Sequence, residues 1–96
     1  MGNPFAAETE LLVLRLLKDE PEGMYGLALV RTSAGKLKRG TVYVTLGRLE
    51  EKGYVTSKVQ KKRVHAGLPR PIYQIAALGE RALAAAEIMG LGATGA

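Results

Sequence analysis

Cysteine is absent from this chain. No disulfide and no thiolate metal site can hold it together, so stability rests on packing, hydrogen bonds and self-association. Tryptophan is absent too, phenylalanine occurs once, at Phe5, and there are four tyrosines. A stacking platform for single-stranded RNA, or an aromatic cage for a planar ligand, has few residues to draw on. Histidine occurs once, at His65, and a lone imidazole supplies neither a metal site nor a nucleophile–base pair. Glu50 and Glu51 are neighbours in sequence, so on a helix they diverge by about 100° and cannot act as paired carboxylates. Gly90-Leu91-Gly92 follows no strand, which excludes a phosphate loop. The reading is of a protein that is no enzyme and takes no metal and no cofactor. Long hydrophobic runs are missing as well. The apolar stretch Leu11 to Leu17 is interrupted by Arg15 and is far too short to span a bilayer. It follows Glu8 and Glu10, where a secretory leader would be cationic. A cytoplasmic protein without membrane association is expected.

What is present is basic charge, concentrated in one place. The 96 residues carry a net charge of +5, and 11 of the 14 Lys and Arg fall between Arg31 and Arg70, against only Glu50 and Glu51 there. The remainder of the chain is net acidic. A polyanionic partner is one reading of that segment, and a solvated basic surface is the other. A single domain of this length has a thin core, and dimerisation is a common way to enlarge it.

Glu8 to Lys18 predicts a helix whose leucines and valine spread around most of its circumference. Such a helix must be covered on more than one side. A second copy supplies part of the cover in one reading, and a central position in a monomer supplies all of it in the other. Asp19 to Gly23 breaks the chain, since proline lacks an N–H and glycine permits turns. Met24 to about Ser33 predicts a second, short helix, ended by Ala34-Gly35. A third helix runs from about Thr41 to Lys52, with Gly53 as its terminator. On it Val42, Leu46 and Leu49 make an apolar face, and Thr41, Thr45, Arg48 and Lys52 line up on the other side at helical spacing. Glu50 and Glu51 are expected to point away from that stripe. Hydroxyls and cations so arranged suit the major groove, where threonine meets base edges, phosphates or a thymine methyl and arginine reads guanine. The competing reading is an ordinary solvated face, with Arg48 paired to Glu50 or Glu51.

Tyr54 to Gln60 and Arg70 to Ile75 read as two strands joined by a cationic loop that carries Lys61, Lys62 and Arg63. Leu78 to Met89 reads as a last, alanine-rich helix. The expected class is mainly α with a small two-stranded β-wing, in the order helix-helix-helix-strand-strand-helix. This is a winged helix-turn-helix, taken as a single domain over residues 1–96. It divides into the first two helices at about 8–34, a recognition helix at 38–53, a wing at 54–76 and a C-terminal helix at 77–91. In that layout the third helix enters the major groove, the second braces it and the wing reaches backbone or minor groove.

Three stretches also resemble a named family. Met24-Tyr25-Gly26-Leu27 is similar to the Tyr-Gly opening of the second helix in PadR-like transcriptional regulators. Gly40-Thr41-Val42-Tyr43, with Leu46, Arg48-Leu49-Glu50 and Gly53-Tyr54-Val55, resembles their recognition-helix signature. Leu68-Pro69-Arg70-Pro71-Ile72-Tyr73, followed by Leu78-Gly79, resembles the end of their wing. The likeness runs from about residue 8 to 85. Val44 stands where the family commonly has proline, and Ala76 where it commonly has a capping threonine. The resemblance implies a regulator, of repressor type, that binds double-stranded DNA at a pseudo-palindromic operator as a homodimer. DNA contacts are expected from Lys38, Arg39, Thr41, Tyr43, Thr45, Arg48 and Lys52, and from Lys61, Lys62, Arg63 and Arg70 of the wing. Tyr43 either donates to a phosphate or is packed, while Tyr73 reads as core. The first and last helices would form the dimer interface through Leu11, Leu12, Leu14, Leu16, Leu83 and Ile88. Some relatives respond to small aromatic ligands, but the few aromatic residues here support no effector. A winged helix that docks proteins instead of DNA is the alternative function.

Overall fold

The computed structural model describes residues 8–59 and 70–90. Its elements are α1 (Glu8–Lys18), β1 (Met24–Tyr25), α2 (Gly26–Thr32), α3 (Arg39–Glu51), β2 (Val55–Val59), β3 (Pro71–Ile75) and α4 (Ala77–Ile88). Helices and wing follow the order that the sequence predicts, with one addition. Met24 and Tyr25 form a strand instead of the opening of α2, and the antiparallel sheet has three strands in the order β1-β3-β2. Met24 pairs with Tyr73 and Tyr25 with Ile72. Gly23, at φ +100°, makes this approach possible, because a Cβ there would run into the Ile72 and Gln74 side chains and the Tyr73 carbonyl. Gln74 ties down the preceding turn, its amide donating to the Pro21 carbonyl at 3.0 Å.

On the other side of β3, β2 pairs in a register from Val55 with Ile75 to Val59 with Pro71. Pro71 opens the strand, where its missing N–H does least harm to the ladder. Lys61, Lys62, Arg63 and His65 lie outside the described residues.

The core gathers Leu11, Val13, Leu14 and Leu17 of α1, Leu29, Leu37, the apolar face of α3, Val55, Tyr73 and Leu83. α1 is the central helix, in contact with α2, α3, β3 and α4. This corrects the expected interface. Leu11, Leu14 and Leu83 are buried within the chain's own core and have no surface left to offer a second copy. Leu12 and Leu16 are only partly buried, and Ile88 is 85 % exposed. On the same side of α1, Arg15 pairs with Glu87 of α4 at 3.4 Å. α4 starts from Ala76, in extended conformation and with no side-chain cap, which forgoes roughly 0.5–2 kcal/mol of helix stabilisation.

Candidate nucleic-acid interface

The turn into α3 is built around Ser33. Its hydroxyl donates to the Val30 carbonyl at 2.8 Å and accepts the Leu37 N–H at 2.9 Å. One buried side chain so closes the end of α2 and anchors Leu37 in the core. Between them Ala34 sits at φ 57° and Gly35 at φ 93°. The left-handed conformation costs a non-glycine residue about 1–2 kcal/mol, which marks this turn as tightly specified. Ser33 carried no signal in the sequence beyond its place before Ala34-Gly35.

α3 then begins from Lys38, whose carbonyl accepts the N–H groups of Thr41 and Val42 at 2.9 and 2.8 Å. No side chain caps this end. Lys36, Lys38 and Arg39 around it are all exposed, so free N–H groups and three cations face solvent together. At the other end Gly53, at φ 79°, turns the chain. Its N–H bonds the Glu50 carbonyl and that of Tyr54 bonds Leu49, at 3.0 and 2.9 Å, a crossed pair that satisfies the last carbonyls of the helix.

Between these ends the buried positions are Val42, Thr45, Leu46 and Leu49, spaced i, i+3, i+4 and i+7. Thr45 is only 5 % exposed. The expected stripe of Thr41, Thr45, Arg48 and Lys52 is therefore split. Thr41 and Arg48 are exposed, Thr45 belongs to the core face, and Lys52 donates to the buried Glu10 carboxylate of α1 at 2.9 Å. Lys52 also lies 5.9 Å from the centroid of the Tyr54 ring. The reason is the breadth of the apolar face. Three aliphatic side chains define an arc whose fourth corner is position 45, and Thr45 takes that place in the core face. No buried side-chain polar atom lacks a partner among the described residues.

The outermost line of α3 is instead Gly40, Val44, Gly47 and Glu51, all exposed. A second correction follows, since Glu51 shares the outward face instead of pointing away from it. Glu50 does turn aside, accepting the Ser57 hydroxyl of β2 at 2.6 Å. Val44 is 55 % exposed. Tyr43 is 47 % exposed and partly packed. One edge of its ring packs on Gly26 so closely that a Cβ there would lie 2.6 Å from a ring carbon, and the rest faces outward. Arg70, just before β3, is exposed and lies 5.7 Å from the centroid of the Tyr25 ring. Tyr73 is buried, and its hydroxyl is held above its usual pKa of 10.0 by burial first, then by the charges of Glu50 and Tyr43. No group of His, Cys, Asp and Glu fit to hold a metal occurs among the described residues, and none of their helices is long and apolar enough to cross a membrane.

The profile of the "Transcriptional regulator PadR-like family" matches residues 13–85, from within α1 to the last turn of α4. The chain belongs to the PadR-like family. Solved structures share its fold. A PadR family transcription regulator from Clostridium difficile R20291 superposes with a TM-score of 0.75 at 22 % identity, covering 88 % of each chain. A PadR family transcriptional regulator from Eggerthella lenta gives 0.69 at 28 % identity, over 85 % of this chain and 73 % of the other. The PcaV transcriptional regulator from Streptomyces coelicolor, solved with its natural ligand, gives 0.74 at 18 % identity, and this chain spans 57 % of its length. No curated protein matches the chain in sequence. The PadR-like assignment makes the protein a transcriptional regulator, and its helix order and sheet are those of a winged helix.

Proposed function

We propose that the protein is a homodimeric, cytoplasmic repressor that binds a pseudo-palindromic DNA operator through α3. The observation that carries this reading is the outward side of α3 and its approach. Lys36, Lys38, Arg39, Thr41 and Arg48 are exposed there, and none of their side chains is used in the ion pairs that hold the described residues together. Free N–H groups and cations at a helix start favour phosphate, and an arginine on the next turns can reach a guanine edge. Lys38, Arg39, Thr41, Tyr43 and Arg48 are the proposed contacts of the helix, and Lys61, Lys62, Arg63 and Arg70 those of the wing. Thr45 leaves that set, being buried. Lys52 leaves it as well, being bound to Glu10. For the dimer, α1 and α4 offer Leu12, Leu16 and Ile88, and two copies of α3 in successive major grooves would sit about 34–36 Å apart, one turn of DNA.

The test is duplex binding across a range of salt concentrations. Phosphate contacts release counterions, so affinity is expected to fall steeply as salt rises. Absence of binding at low salt, or a flat response, rejects the DNA reading in favour of a protein-docking winged helix.

A further inference from the structure

We propose that Val44 reads a thymine methyl group in the major groove, an inference that rests on the DNA-binding role of α3. Three residues on the outermost line of this helix are poor choices for the fold itself. Val44 is β-branched, which restricts its side chain in a helix, and it exposes 55 % of its surface instead of joining the core. Gly47 lies mid-helix, where glycine is about 1 kcal/mol worse than alanine. A Cβ at Gly40 or Gly47 would meet nothing within 4 Å, so packing within the chain does not require glycine at either place. Local choices that work against the fold and cluster on one face are the mark of a binding surface.

The second observation is charge. Lys38 and Arg39 stand before this line, and Arg48 stands beside it, all exposed. A polyanion is thereby drawn to the face that Val44 occupies. Without side chains at positions 40 and 47 the helix backbone can settle deeply into a groove, and the Val44 methyls become the first side-chain atoms to meet a base edge. Thymine is the base that presents an apolar group there. Against cytosine N4 or guanine O6 the same methyls would desolvate a polar group without bonding it. Glu51, the acid on this line, lies at the C-terminal end of α3, away from the N-terminal turns that lead into the groove.

The experiment uses duplexes selected by the wild-type protein from a random pool, with each thymine of the bound site replaced singly by deoxyuridine. That exchange deletes one methyl and leaves the hydrogen-bonding edge unchanged. At least one position is expected to weaken wild-type binding about threefold to fivefold, the value of one buried methyl. Val44→Ala is expected to bind the thymine and uracil duplexes equally at that position, and Val44→Thr, which keeps one methyl, to show a reduced penalty. If wild type selects duplexes but is indifferent to every exchange, or if Val44→Ala keeps the full penalty, the assignment of Val44 is overturned while DNA binding stands. If no duplex is selected at all, both fall.

Discussion

Thr45 and Arg48 stand about one turn apart on α3 and end in opposite surroundings, one in the core and one in solvent. Their substitutions should separate accordingly. Arg48→Ala is expected to weaken specific duplex binding by about 5- to 150-fold, the span of one good base contact, with the thermal midpoint unchanged. Thr45→Val should leave binding as it was and shift stability by no more than about 1.5 kcal/mol, since one hydroxyl is lost and little volume changes. Titration of a selected duplex beside a melting curve checks both. Lys52 behaves as a third kind of residue. Glu10 keeps only 6 % of its side chain exposed, against 43 % for Lys52. Lys52→Ala would strand that carboxylate, lowering stability by about 1–3 kcal/mol in chemical denaturation, toward the smaller figure because the lysine is partly solvated.

At the scale of elements, much was legible in the sequence because helical periodicity is a local signal. α1 runs from Glu8 to Lys18, as its pattern of leucines and charges implies. β1 was not legible, because two residues carry no periodicity and their partners, Tyr73 and Ile72, lie far along the chain. Thr45 was misplaced for a related reason. Its hydroxyl argues for solvent, and only the packing of α1, α2 and β2 against α3 assigns it to the core. Tyr73 shows what that packing does to a titrating group. Its hydroxyl keeps its proton to higher pH in the folded protein than the usual 10.0 of the unfolded chain. The contribution to stability is therefore fully present below about pH 10 and is lost as the pH climbs through the folded value, because the unfolded chain ionises first. Melting curves from pH 8 to 11 should fall more steeply at the alkaline end for wild type than for Tyr73→Phe. Equal slopes would show that the buried hydroxyl is not the cause.

At the scale of the whole molecule, the proposed dimer would rest on a smaller apolar surface than the leucines of α1 imply, since Leu11, Leu14 and Leu83 serve the protomer. Ile88→Glu is expected to convert a dimer into a folded monomer, read by light scattering with the helical circular dichroism retained. A wild-type protein that is already monomeric would remove the dimer from the proposal. The ion pair between Lys52 and Glu10 reaches beyond stability to the thermodynamics of any DNA complex. A cation already balanced by its own carboxylate displaces no counterion from DNA. Each phosphate truly neutralised contributes about 0.9 to the slope of log affinity against log salt. Arg39→Gln should therefore flatten that line by about one such step, and Lys52→Gln should leave it parallel to wild type. The chain's formal charge overstates the grip it can exert on a duplex.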